Sequence, residues 1–325
     1  ALTGIGYARA MRRKQIFIAT SSVGPGSTNM VTAAAVALSN RLPLLLLPGD
    51  TFASRLPDPV LQQVENFNNP TETQNDSLKS VSKYFDRITR PEQILSSLPQ
   101  AIQLMLDPAD CGPATISMSQ DVQGEIYDYP EVFFEEKIHT IRRIYPDPTQ
   151  IKNAAEKIKN SKQPIIISGG GVLYSEAEAE LSSFAKKHNI PVTATVMGIG
   201  CMQKDDPYYI SAIGCLGEGS SNNLSKDTDL ALAVGTKLSD FTTGSWTNFQ
   251  NPEFSLVSIN TSRFDTTKHR AIPVISDANV GLKELSIALG DWKAPNGWYK
   301  RSIEEREKWD TYVQKESGPT NQEIP

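Results

Sequence analysis

The sequence predicts an α/β protein built from two doubly wound parallel-sheet domains, the first of them partial. Two observations carry this. The apolar runs at residues 44–47 ("LLLL"), 113–119 ("PATISMS") and 164–168 ("PIIIS") lack polar alternation, as strands covered on both faces do. Segments with helical spacing separate such runs, and the alternation restarts at Thr149 after a looser stretch rich in Tyr, Pro and acidic residues. A chain of 325 residues has room for two cores.

In order, the first domain (residues 1–125) reads as a short helix through Ala10, a strand at 15–20 and a helix at 27–39. The strand at 44–47 follows, then a short strand at 81–85. "PEQILSSLPQAIQLMLD" is a helix with Pro91 at its first position, where a missing N–H costs nothing, and the strand at 113–119 closes the domain. Residues 126–147 are a linker. The second domain (148–290) begins with the amphipathic helix "TQIKNAAEKIKNS". It continues through "QPIIISGGG" as a strand ending in glycines, "SEAEAELSSFAKKHN" as a helix and "IPVTATV" as a strand. "TDLALAVGT", "FSLVSIN" and "AIPVIS" supply three more strands, and "NVGLKELSIAL" a closing helix. Residues 291–325 read as a charged helix and a polar tail leading toward a further domain.

Composition narrows the function. The formal net charge is −5 with Lys and Arg interspersed, so no basic stripe is available to neutralise phosphates, and nucleic acid is not an expected partner. Cys111, Cys201 and Cys215 are odd in number, widely spaced and free of any CxxC, against both a disulfide framework and a zinc site. His139, His188 and His269 share no ligand spacing with acidic or sulfur residues, so no metal site is expected. The longest apolar run, at 42–48, falls far short of the roughly 20 residues that cross a bilayer. A soluble, cytoplasmic protein without a membrane partner is expected. The opening "ALTGIGYARAMRRK" places its positive charges after the apolar residues, the reverse of a signal peptide, so the chain is expected to begin inside a domain.

Four strand-end loops compete for chemistry. In "TSSVGPGSTN" (residues 20–29), Gly24 and Gly26 flank Pro25, and Ser27 or Thr28 can cap the helix beginning there. Such a helix start suits an anion, and a tight capped turn without a ligand explains the same residues equally well. Gly169, Gly170 and Gly171 sit where a dinucleotide diphosphate would lie. However, "VLYSEAEAE" does not complete GxGxxG and no acidic residue ends "IPVTATV", so close helix-to-sheet packing is favoured. Residues 197–222 form a second glycine-rich region. The loop at 48–67 carries Arg55, Asp58, Gln62 and Gln63, and Asp58 before Pro59 is equally a helix start. The loop at 234–249 gathers Lys237, Asp240, Thr242 and Thr243. No Ser-His-Asp order, carboxylate pair or metal-ligand set emerges.

The order of these motifs is more informative than any one of them. "GYARAMRRKQIFIATSSVGPGSTNMVTAAAVALSNRLPLLLLPGD", "GPATISMSQDVQ", "QPIIISGGGVLYSEAEAEL", "IPVTATVMGIGCM" and "DLALAVGTKLSDFTTGSW" together resemble the thiamine-diphosphate-dependent enzymes of the acetolactate synthase and pyruvate oxidase superfamily. The resemblance runs through nearly the whole chain. "RLPLLLLPGDTFASRLPDPVLQQVE", "LSDFTTGSW" and "INTSRFDTTKH" are most similar to the family of C–C hydrolases in myo-inositol catabolism that opens a cyclic trihydroxy-1,2-dione to 5-deoxyglucuronic acid.

That resemblance implies an N-terminally truncated pyrimidine-binding domain at 1–125, a central domain at 148–290, and a diphosphate-binding domain beyond Pro325. Thiamine diphosphate and Mg²⁺ are the implied cofactors of the full-length enzyme. Its catalytic glutamate would precede Ala1 and its metal ligands would follow Pro325, leaving this chain an inactive fragment with no catalytic or metal residue of its own. Gly24, Pro25 and Gly26 would lie beside the pyrimidine, with Thr28 and Asn29 starting the helix behind it. Gln62 or Gln63 would be the loop glutamine that reaches cofactor and substrate. Some relatives hold FAD or ADP with segments corresponding to residues 169–171 and 237–243, but FAD is not expected here. Active sites shared between subunits imply a homodimer or homotetramer acting on a small cyclic dione. The rival readings are an acetolactate synthase-like or decarboxylase member of the superfamily, and a non-catalytic nucleotide-binding or assembly module.

Overall fold

The computed structural model describes residues 1–56, 60–64, 66 and 68–317. The chain divides into two units, Ala1–Arg142 and Arg143–Pro325, the division falling inside the stretch read as a linker.

In the first unit, helix α1 (Leu2–Ala10) leads to strand β1 (Phe17–Ser21), and helices α2 (Pro25–Thr28) and α3 (Val31–Asn40) lead to β2 (Leu44–Asp50). A 3-10 helix at Gln74–Val81 precedes β3 (Tyr84–Ile88), and α4 (Ile94–Leu106) precedes β4 (Pro113–Ser119). The four strands are parallel, in the order β1-β2-β4-β3. Leu44, Leu45 and Leu46 of β2 are at most 3% exposed. Their alternation sends Leu44 and Leu46 into a cluster with Met30, Ala34, Ala37 and Leu78, and Leu45 into one with Ile88, Ala101, Met105 and Ile116. Each such leucine contributes about 1.5–3 kcal/mol. The alanines of α3 allow that helix to lie close on the sheet.

Strand ends shift by a few residues, as where β1 spans Phe17–Ser21 and β2 runs on to Asp50, and two of the differences from the sequence reading have a clear local cause. The helix expected at 27–39 is interrupted at Asn29–Met30, because the Thr28 hydroxyl and Asn29 amide donate to the Pro25 carbonyl at 3.1 and 2.9 Å. The strand expected at 81–85 starts later, at Tyr84, because a capping box of Thr73 and Asp76 commits residues 74–81 to a 3-10 helix. After β4 the chain makes a 3-10 turn at Glu131–Phe134, anchored where the Tyr129 hydroxyl donates to the Pro91 carbonyl at 3.3 Å.

The second unit runs α5 (Pro148–Lys159), β5 (Pro164–Ser168), α6 (Gly170–Tyr174), α7 (Glu178–His188), β6 (Val192–Ala194), β7 (Tyr209–Ala212) and α8 (Gly219–Asp227). It continues with β8 (Leu230–Val234), α9 (Asp240–Thr243), β9 (Ser255–Asn260), α10 (Arg263–Thr266), β10 (Ile272–Ile275), α11 (Ala278–Leu289) and α12 (Asn296–Glu316). The sheet order is β10-β9-β8-β5-β6-β7, all parallel. This is the doubly wound order whose switch point lies between the first and fourth strands, here β5 and β8. Asp147 caps α5 through the N–H groups of Thr149 and Gln150, and every residue of β5 and β8 is buried.

Strand β7 and helix α8 lie in and just after the stretch 197–222, which the sequence reading gives only as glycine-rich. Helix α8 buries Ser220, Ser221 and Ser225 around Leu224, and the Ser211 hydroxyl bonds those of Ser220 and Ser221 at 2.7 and 2.6 Å. Hydroxyl pairing rather than an apolar stripe seats this helix.

Candidate functional site

In both units the loops that leave the carboxyl ends of parallel strands are where ligands of open α/β sheets bind. At the end of β1 the chain turns through Gly24, with φ 73° and ψ −125°, a conformation that side chains disfavour. A Cβ on Gly24 would overlap the carbonyl oxygen of Gln62, and one on Gly26 would overlap the Ser22 hydroxyl. The structure therefore brings the Gly24 turn and the Gln62 loop together. Gln62 is exposed, Gln63 is half-buried, and the Gln63 N–H donates to the Val60 carbonyl at 3.0 Å. Asp58 lies outside the described residues. The Ser27 hydroxyl donates to the Gly24 carbonyl at 2.9 Å, and Thr28 and Asn29 both hold the Pro25 carbonyl. Their polar groups fasten the turn, while the exposed Pro25 ring faces outward from it.

Sequence reasoning missed the buried charges beside this loop. Asp50, wholly buried at the end of β2, accepts from Arg87 Nε at 2.8 Å, from the Thr51 N–H at 2.8 Å and from the Ser117 hydroxyl. Arg87 Nη2 reaches Asp76 at 2.9 Å and the Thr73 hydroxyl at 3.0 Å. Asn75 donates to the Gly49 carbonyl at 2.9 Å and to Ser117 at 2.7 Å. The signals available were the Thr73-to-Asp76 capping pattern and the single aspartate ending an apolar strand.

An aminopyrimidine is a flat, uncharged ring that would call for an apolar surface and neutral polar groups rather than a cation. Pro25 offers an exposed apolar surface and Gln62 and Gln63 lie in the facing loop, while Gly24 and Gly26 make room for the protein's own Gln62 carbonyl and Ser22 hydroxyl. A phosphate fits less well, since residues 20–29 contain no cation and α2 is a single turn. Among the described residues no group of three or more His, Cys, Asp or Glu is arranged to hold a metal ion.

In the second unit the switch point is filled by backbone. The Gly169 N–H donates to the Val234 carbonyl at 2.8 Å and the Gly171 N–H to the Gly235 carbonyl at 2.9 Å. A Cβ on Gly171 would stand 2.6 Å from the Gly235 Cα. These glycines allow close packing, and both N–H groups are donated to the backbone at and just after the end of β8. The β8 loop is tied to β9, whose Asn260 amide donates to the Thr236 carbonyl at 3.2 Å. Asp240 opens α9 and Thr243 is buried beneath it. Burial pushes the Cys111 and Cys201 thiols up from their ordinary pKa, away from nucleophilic character.

Residues 151–285 match the family described as thiamine pyrophosphate enzyme, central domain. That match lies wholly within the second unit. Similarity to known proteins also extends across the first unit. The chain is 47% identical over 311 residues to a 3D-(3,5/4)-trihydroxycyclohexane-1,2-dione hydrolase of Clostridium tetani (strain Massachusetts / E88), covering 92% of this chain and 48% of that protein. Proteins of the same name from Geobacillus thermodenitrificans (strain NG80-2) and Bacillus cereus (strain AH820) are 44% and 42% identical, covering 91% and 96% of this chain and 46% and 48% of their own lengths. The chain thus spans about half the length of the curated relatives it matches. No helix of the described residues is long and apolar enough to cross a membrane.

Proposed function

We propose that this chain supplies the pyrimidine-side and central domains of a thiamine-diphosphate-dependent hydrolase that opens a cyclic trihydroxy-1,2-dione to 5-deoxyglucuronic acid by net addition of water. The observation that carries this is identity of 42–47% to proteins named for that reaction, across both units.

Thiamine diphosphate, when bound, supplies a nucleophilic ring carbon and an electron sink for C–C cleavage. Gly24, Pro25 and Gly26 would back its aminopyrimidine, with Thr28 and Asn29 keeping that turn rigid through the Pro25 carbonyl. Gln62 or Gln63 would present an amide to the cofactor and the polyhydroxylated substrate, fixing orientation and limiting water. The catalytic glutamate, the diphosphate contacts and Mg²⁺ are assigned to the half of such a protein that this chain does not cover. No flavin is assigned to the central domain, a reading supported by the packing of Gly169 and Gly171 against β8. The working assembly is a cytoplasmic homodimer or homotetramer, as the resemblance implies.

The test uses the protein with its natural flanking sequence, thiamine diphosphate and Mg²⁺, following the cyclic dione by NMR. Conversion to the linear deoxyuronic acid is expected, with none from this chain alone. Acetolactate formed from pyruvate, or flavin absorbance in the purified protein, would replace this reading with another member of the superfamily. Tight ADP or FAD binding by this chain without thiamine diphosphate binding would favour a nucleotide-binding module.

A further inference from the structure

The chain between β2 and β3 is tied down at both ends. At its start, Asp121 accepts the Ala53 and Ser54 N–H groups at 2.8 and 3.0 Å. Burial raises the Asp121 pKa, but these backbone donors outweigh it and hold the carboxyl below its ordinary value. At its end, Arg87 grips Thr73 and Asp76 while its Nε holds the buried Asp50.

Between these ties, Gln62 has φ 67°, a left-handed conformation unusual for a residue with a side chain. With the Gln63 N–H on the Val60 carbonyl, this is the pattern of a type II turn, which demands positive φ at its third residue. The strained residue is the one whose carbonyl lies against Gly24, and Gly24 is itself left-handed and too crowded for a Cβ. A conformation open in practice only to glycine and one costly for a residue with a side chain, 38 positions apart by number, meet at one contact. Such strain persists only where surrounding structure imposes it.

We propose that Gly24 is a positioning residue: its bare Cα seats the Gln62 backbone carbonyl and so fixes where the Gln62 and Gln63 amides stand. The glycine then serves the protein's own loop as well as any ligand. That these amides face cofactor and substrate rests on the function proposed above, whereas the seat itself does not.

The test is amide hydrogen exchange on the ligand-free chain, read by NMR or mass spectrometry, with four variants. Gly24→Ala removes the seat. Gln62→Pro forces φ to about −65° and withdraws the carbonyl, Gln62→Gly keeps positive φ, and Gln62→Ala deletes only the side chain. Exchange at residues 60–63 is expected to rise about tenfold in Gly24→Ala. Gln62→Pro is expected to raise exchange reciprocally at Ser27 and Thr28, which a turn local to 60–63 would not do. Gln62→Gly and Gln62→Ala should match wild type at both segments, and α4 and β4 should keep their protection in all four.

Unchanged exchange at 60–63 in a folded Gly24→Ala would overturn the seat. If that variant does not fold, unchanged exchange at Ser27 and Thr28 in Gln62→Pro would do so. Loosening in Gln62→Ala would overturn it too, by moving the contact to the side chain. Calorimetry with thiamine diphosphate is separate, so failure of the cofactor reading leaves the exchange result standing.

Discussion

Asp50 has lost all contact with solvent, and its partners are the Arg87 Nε 2.8 Å away and the hydrogen-bond donors of Thr51 and Ser117. Removing only the guanidinium is therefore expected to cost about 3–5 kcal/mol, the usual penalty for stranding one member of a buried pair. Arg87→Met should show this in urea unfolding, and Asp50→Asn combined with it should recover part of the loss; a single-variant cost under about 1 kcal/mol would place the pair among weak surface bridges. A second residue ties stability to pH. His188 is buried, with Nδ1 on the Trp292 carbonyl at 2.8 Å and Nε2 on the Ser286 hydroxyl at 2.9 Å. Burial pushes its pKa below the ordinary histidine value; the Trp292 carbonyl opposes this, and Lys187 and Lys293 reinforce it. As pH falls, the unfolded chain takes up this proton before the folded one. The contribution is thus full above the unfolded value of about 6.5 and is lost as pH falls through it toward the folded pKa. Thermal midpoints should fall more steeply between pH 7.5 and 5.5 in wild type than in His188→Gln, and equal slopes would remove His188 from that dependence. The Gly-Pro-Gly turn was visible in the sequence because its residues are contiguous. The Asp50–Arg87 pair was not, because 37 positions separate partners that only the β2–β4–β3 sheet brings together.

The switch point of the second unit depends on two facing glycines. Gly235 has φ 61°, and its Cβ would stand 2.6 Å from the Gly171 Cα, so a side chain meets both backbone strain and a backbone neighbour that cannot swing aside. Gly235→Ala should destabilise by about 1–3 kcal/mol or more, as overpacking does. Gly297, near the start of α12, has nothing within 4 Å of its Cβ position, and Gly297→Ala should be neutral or stabilising by up to about 1 kcal/mol. Guanidinium unfolding of both variants checks this contrast, and equal effects would mean that the glycine contact carries no constraint. The same physics explains which elements were legible. Strand β4 was read with its observed ends, since an unbroken apolar run between turns has few other uses. Helix α8, "GSSNNLSKD", was not, because it is seated by buried hydroxyls and by packing under α12, where Trp309 lies against Gly219. Neither feature leaves a period of 3.6 in apolar residues.

At the scale of the whole molecule, the two units differ in how fully their sheets are covered. In the second, Ile151, Ala154, Leu181, Phe184, Leu282 and Leu285 cover one face, and Leu224, Leu238 and Trp298 cover the other. In the first, edge strand β1 alternates half-buried and exposed positions, and Ile18 is 57% exposed, although parallel strands are ordinarily covered on both faces. The second unit therefore has what an independent fold requires. A fragment spanning residues 143–317 is expected to unfold in urea in one cooperative transition. All four tryptophans lie in that fragment, at positions 246, 292, 298 and 309, so fluorescence reports on it alone. Trp298 is the useful probe, being 4% exposed with its indole N–H donated to the Pro164 carbonyl at 2.9 Å. Its emission should be blue-shifted in the fragment, and the fluorescence and far-UV circular dichroism transitions should coincide. Transitions that separate, or a red-shifted emission before denaturant is added, would show that this sheet needs residues 1–142 to reach its native packing.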